Sequence, residues 1–233
     1  MPITINGDGT VTGISAGGLP DGSISTADIA DDAVTLAKLS TTGTPGAGNF
    51  LRGDNSWQEA GGGAWNVITS TNITSTVTGV EFTSGIDSTY ASYAWIIAGL
   101  KLHANNYNLY LYVKTNTGSY HTGGSDYKSF SSRTVSTSSS WSGLSSNGAG
   151  YILVCDQGGF VNLEMRLDNP TQTSNIKPFY WNGGHLNNSS TLQWSAGAGA
   201  LFANNNAITA VKFDCGGGNM TEGRITMYGI AHA

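Results

Sequence analysis

Residues 107–115, YNLYLYVKT, decide the fold class. Leu109, Leu111 and Val113 fall on one side of an extended chain and Tyr110 and Tyr112 on the other. That is the two-residue period of a strand and not the period of a helix. Both sides carry bulk that can be covered, which predicts an inner strand of a layered β-structure. Working outward, the same reading repeats. WNVI (65–68), YAWIIAGLKL (93–102), FVNLEMRL (160–167), ITAVKF (208–213) and GRITMYGI (223–230) are β-branched or aromatic runs separated by Gly, Asn and Ser turns. No window has a convincing helical period. Residues 63–233 are therefore expected to be all-β, an antiparallel β-sandwich of jelly-roll-like type.

Composition agrees. Charged residues make up 11% of the 233-residue chain, against roughly 25% in ordinary soluble domains. Gly, Ser, Thr and Asn take their place, residues that favour turns and neutral hydrogen-bonding surfaces. Residues 1–62 carry seven acidic side chains against Lys38 and Arg52, while residues 63–233 carry eight of each sign. With no basic stripe, nucleic acid is not an expected partner. No apolar run approaches the roughly 18 residues that a membrane span needs, and the start of the chain lacks the basic and apolar regions of a signal peptide. The expected place of synthesis is the cytosol. Cys155 and Cys215 each end an apolar run, YILVC and AVKFDC. In a reducing compartment both are expected to behave as small buried hydrophobes, with a disulfide between neighbouring strands left open.

The composition changes near AGGGA, residues 60–64. Ahead of it, DGSISTADIA (21–30) is followed by DDAVTLAKLS (31–40), a ten-residue repeat. Its larger apolar residues, Ile24, Ile29, Val34 and Leu39, recur every five positions. On a continuous α-helix such steps turn by about 140° and form no face; on a straight strand they alternate sides. A short extended piece followed by a capped helical turn fits better, with Ser25 and Asp28 spaced as a capping box. A segment this poor in apolar residues cannot offset its own ordering entropy. It needs identical neighbours that bring Ile24, Ile29, Val34 and Leu39 to a shared axis. Residues 1–62 are therefore read as a thin, extended oligomerising stalk.

The opening ITINGDGTVTGISAGGLPDGSISTADIADDAVTLAKL resembles the N-terminal stalks of bacteriophage tail fibres and tail-tip proteins, especially from marine phages. GTPGAGNFLRGDNSW (43–57) resembles the junction that such fibres place before their head. The order FTSGIDSTYASYAWIIAGL, a strand pair, GGSDY and a terminal GRITMYGI is similar to phage receptor-binding tips. The resemblance implies a homotrimer on a virion, assembled in the host cytoplasm. Its N-terminus would be held by a tail or baseplate protein, and its head would contact a bacterial surface polysaccharide or outer-membrane receptor. Some long fibres hold iron through His-x-His repeats. None occurs here, and His103, His121, His185 and His232 are scattered, so neither metal nor cofactor is expected.

For catalysis the head's eight carboxylates are dispersed, and a glycosidase needs two within roughly 5–9.5 Å. Asp156 and Asp214, beside the cysteines, read as strand ends facing solvent. The Ser-rich tract 136–146 has no nucleophile elbow, and CGGGN lacks the P-loop lysine. The chain is not expected to be an enzyme. For binding, residues 115–150 offer aromatics among small polar residues, the combination that holds sugars. Tyr120, His121 and Trp141 are the first candidates. Trp181, His185, Asn187 and Asn188 form a second group, although Trp141 and Trp181 equally suit a core or subunit contact. Tyr127 reads as structural. The alternatives to a receptor-binding fibre are a capsid-decorating fibre or tail connector, and a glycan-cleaving tip.

Overall fold

Residues Tyr107–Thr115 form a strand whose Leu109, Leu111 and Val113 are fully buried, while Tyr110 and Tyr112 are half-buried. The computed structural model describes residues 4–5, 7, 11–12, 24–59, 64–103, 107–116, 118–135, 138–147, 150–155, 160–186 and 191–231. The chain divides into two units, Met1–Gly61 and Gly62–Ala233. It is an all-β protein, and its sheets are built from antiparallel pairs. No helix among the described residues is long and apolar enough to cross a membrane.

In the first unit β1 (Thr4–Ile5) pairs with β2 (Val11–Thr12), and β3 (Asn49–Leu51) pairs with β4 (Trp57–Glu59). Between these pairs the repeat folds into two single 3₁₀ turns, Thr26–Asp28 and Leu36–Lys38. They close in the same way: Asp28 N–H donates to Ser25 O (3.1 Å) and Lys38 N–H to Thr35 O (2.9 Å). The first is also tied by its carboxylate, since Asp28 Oδ2 accepts from Ser25 N–H (2.8 Å) and Ser25 Oγ (2.7 Å). These bonds hold the Asp28 carboxyl below its ordinary range, the backbone bond first. Ile24, Ile29, Val34 and Leu39 are 38–56% exposed within the single chain.

The second unit holds twelve strands among the described residues: β5 (Trp65–Ile73), β6 (Gly79–Phe82), β7 (Ser92–Leu102), β8 (Tyr107–Thr115), β9 (Tyr127–Val135), β10 (Ser138–Asn147), β11 (Gly150–Cys155), β12 (Val161–Asp168), β13 (Pro178–Leu186), β14 (Leu192–Leu201), β15 (Ile208–Asp214) and β16 (Met220–Ile230). Eight form one sheet in the order β10-β9-β14-β13-β12-β7-β16-β5, and four form another in the order β11-β8-β15-β6. The buried side chains of both sheets merge into one hydrophobic cluster. Trp95 of β7 meets Phe82 of β6 and Phe213 of β15 edge-on, each at 6.2 Å between ring centroids. Tyr127 of β9 is fully buried, and its hydroxyl accepts from Val113 N–H of β8 at 2.8 Å. Desolvation pushes that phenol well above its ordinary range.

Parity along β13 and β14 follows from volume. Phe179 and Trp181 point into the core, stacked at 6.1 Å. Their neighbours across the ladder are Gly199 and Gly197. A Cβ on either glycine would collide with these rings, so the strand beneath them must be bare. That choice carries the rest of β14 with it, because side chains alternate. Gln193 and Ser195 are buried, and Leu192 and Trp194 face solvent. Lys177, just before β13, is buried with Nζ donating to Asn205 O (2.5 Å) and Asn206 O (2.7 Å). Its burial lowers the amine's pKa from the ordinary value.

Candidate functional site: an outward groove on the large sheet

The register of the eight-stranded sheet sets its outward residues in cross-strand rows. One runs Arg224, Ala98 at the irregular end, then Asn162, Gly184, Trp194 and Thr134. The next runs Thr226, Ile96, Glu164, Asn182, Ala196 and Ser132, and a third runs Tyr228, Ala94, Arg166, Tyr180, Ala198 and Phe130. Where the first two rows meet, small residues leave a hollow. It is a cavity of about 760 Å³ with Ile96, Ala98 and Gly184 in its floor, Phe160, Leu192 and Trp194 on its sides, and Asn162, Asn182 and Glu164 as polar members.

Local sequence explains each position. Trp194 lies opposite Gly184. A Cβ on Gly184 would come to 3.2 Å from the indole Cε3, so the missing side chain lets the ring lie against the strand. Trp194 keeps 51% of its surface open. The ladder between β7 and β12 shifts register near Gly99, whose φ of 60° is left-handed and suits glycine. Gly99 N–H, freed there, donates to Asn162 Oδ1 at 3.0 Å, which fixes the amide and leaves its NH₂ as a donor. Asn182 makes no side-chain hydrogen bond among the described residues. Glu164 Oε1 accepts from Arg166 Nε at 2.5 Å, and Arg166 lies 4.8 Å over the Trp65 ring. Partial burial works against the guanidinium charge, but the bond with Glu164, the charge of that carboxylate and Tyr180 together outweigh it and raise the pKa.

The small sheet presents a different outer surface. Lys212 Nζ lies 2.9 Å from Asp214 Oδ2 and 3.9 Å from Glu81 Oε1. The bond with Asp214 raises the amine's pKa above its ordinary value. Tyr120 donates to Glu81 Oε2 at 3.3 Å, and burial together with that carboxylate pushes its phenol up to about 12. Tyr110 and Tyr112 stand 6.2 Å apart beside this network.

The sequence candidates scatter. Tyr120 belongs to the small-sheet network just described. His121 braces a loop: Nε2 is 3.1 Å from Thr115 Oγ1 and Nδ1 is 3.7 Å from Asp126 Oδ2, while His121 O accepts from Tyr127 Oη at 3.2 Å. The order Thr115–His121–Asp126 is that of a nucleophile, base and acid. Thr115 is buried, however, so no reacting carbonyl reaches its hydroxyl. Trp181 is 2% exposed and belongs to the core, where its ring rests on Gly197; as a ligand contact it is corrected. His185 is buried on the same inner parity and is among the residues that line the groove. Trp141 sits on β10 with its side chain outside the described residues, and Asp156, Asn187 and Asn188 lie outside them altogether. Cys215 is a free, buried thiol; the side chain of Cys155 is not described. Among the described residues no three His, Cys, Asp or Glu gather as a metal site would require. Sequence reasoning missed Trp194, Asn162 and Asn182. Their signal was the alternation AGAGA at 196–200 opposite FYW at 179–181, which fixes which neighbours face out. No protein-family model, curated protein or solved structure matches the chain.

Proposed function

We propose that the chain is a non-enzymatic bacteriophage fibre, a homotrimer on the virion whose C-terminal unit binds a receptor on the bacterial surface. In this reading the two sheets of that unit form a jelly-roll-like β-sandwich head, and residues 1–62 form the stalk that a tail or baseplate protein holds. The observation that carries it is the state of the repeat. Ile24, Ile29, Val34 and Leu39 flank closed turns yet stand exposed in the single chain. Folding turns that bury nothing offsets little of their entropy, whereas three copies would cover one another's apolar residues. The resemblance of residues 1–58 to phage fibre stalks points the same way. Three heads on each fibre would turn weak single contacts into firm adsorption.

The test joins two measurements on the full chain. Light scattering gives the solution mass of the protein and of an Ile24→Ser/Ile29→Ser/Val34→Ser/Leu39→Ser variant. A trimer reduced to lower mass by the variant is expected, and a monomeric parent overturns the fibre. Fluorescently labelled protein is then applied to a panel of bacterial cells. Saturable adsorption to particular strains is expected, and its absence across the panel favours a capsid-decorating fibre or tail connector.

A further inference from the structure

The groove on the large sheet combines features that a protein surface left to solvent does not need. Its indole lies close over the bare backbone of Gly184 and keeps about half its surface open. Its two amides are outward, Asn162 near the start of β12 and oriented by Gly99, Asn182 at the middle of β13, both with donors unused among the described residues. The groove residues include no Lys or Arg, and the single carboxylate is already engaged by Arg166. A volume of about 760 Å³ falls within the roughly 300–1,000 Å³ of small-ligand sites.

We infer that this groove is the receptor subsite of the head, and that it takes a neutral pyranose bearing an N-acetyl or 6-deoxy methyl group. The inference rests on the receptor-binding reading above and deepens it. An aromatic ring packs against the C–H face of a sugar, and amides complete its hydroxyl rim. Trp194 supplies the ring; Asn162 supplies donors, and Asn182 supplies donors and an acceptor. Phe160, Leu192 and Ile96 add apolar surface beside the indole, which suits a methyl-bearing substituent. Acidic sugars and phosphate are disfavoured, because the groove already holds the Glu164 carboxylate and the cations at its edge are engaged, Arg166 by that carboxylate and Lys101 over the Phe160 ring.

The experiment applies the full-length protein to an array of immobilised neutral oligosaccharides containing N-acetylglucosamine, N-acetylgalactosamine, rhamnose or fucose, with sialylated and phosphorylated glycans alongside. The parent is expected to bind a subset of the neutral, methyl-bearing glycans. Trp194→Ala is expected to weaken that binding at least about tenfold, as the loss of a stacked ring implies. Asn182→Ala is expected to weaken it about fivefold, the value of one net hydrogen bond. Tyr112→Phe, on the other sheet, should leave it unchanged. Each variant is checked for a parent-like cooperative melt, and Trp194→Phe, which keeps a stacking ring, should recover part of the affinity. The site is overturned by binding to none of the neutral glycans, by binding confined to the acidic ones, or by a folded Trp194→Ala that binds as the parent does. It is also overturned if Trp194→Ala lowers the solution mass, which would make this face a contact between copies. A parent that adsorbs to cells while Trp194→Ala adsorbs equally well overturns the subsite and leaves the receptor-binding reading standing.

Discussion

Two tryptophans sit on neighbouring strands of the same sheet, each opposite a glycine across the same ladder. Trp181 of β13 rests on Gly197 and is 2% exposed; Trp194 of β14 lies against Gly184 and is 51% exposed. Their local arrangement is the same and their environments are opposite. The first fills the core between the sheets and the second walls an open groove. The contrast teaches that a glycine opposite an aromatic marks where a ring lies flat, and says nothing about which side of the sheet that ring is on. Burial turns one pair into stability and leaves the other free for recognition.

The largest test of this contrast is Trp181→Ala, expected to cost about 3–5 kcal/mol in urea unfolding, since it empties a packed site. A cost below about 1 kcal/mol would mean that the inner ring is not core. Next is Gly197→Ala, expected to cost about 1–3 kcal/mol by overpacking, because the new methyl meets both the Trp181 ring and the backbone of Phe130. On the outer side the same change is mild. In Gly184→Ala the methyl lies 3.1 Å from Gln193 O and 3.2 Å from the Trp194 ring, which has open solvent to move into. Stability should change by no more than about 1 kcal/mol, while the emission of Trp194 shifts. Trp194→Ala should change stability by less than about 0.5 kcal/mol. A larger loss would show that the outer ring is also structural and would erase the contrast.

An effect confined to alkaline pH comes from the buried side. Desolvation, with the Asp214 charge adding to it, raises the Cys215 thiol to about 12. An unfolded thiol titrates near about 8.5. The folded protein therefore keeps a proton that the unfolded chain releases. The stability Cys215 contributes is complete below about pH 8.5 and declines as pH rises toward 12. In Cys215→Ala the alkaline decline, followed by urea midpoints, should be shallower by up to one proton's slope. An unchanged slope would show that the thiol is not held in the core.

The strand content was legible because alternation is local. Leu109, Leu111 and Val113 are buried and β8 is an inner strand, flanked by β11 and β15. The tyrosine side of that strand is only half-buried, beside Lys212 and Asp214 rather than under another layer. The candidate site was far less legible. In LQWS at 192–195 the structure buries Gln193 and Ser195 and leaves the apolar Leu192 and Trp194 exposed. Hydropathy gives a strand its period, but a polar residue can take the inner side when larger rings from the next strand claim the space. Of the candidates chosen for aromatic richness, Trp181 is packed in the core, where richness serves packing.

From the sequence alone came the all-β class, the balance of charge that leaves no basic stripe, and the five-residue spacing of the repeat. All three are properties of neighbouring residues and need no distant partner. Tertiary structure alone decided the side of the sheet on which each aromatic stands. Phe179 and Trp181 have one place to go, over Gly199 and Gly197, and that fit sets the parity of β14 along its length. Because successive side chains point to opposite faces, one volume match in the core placed Trp194 in the open.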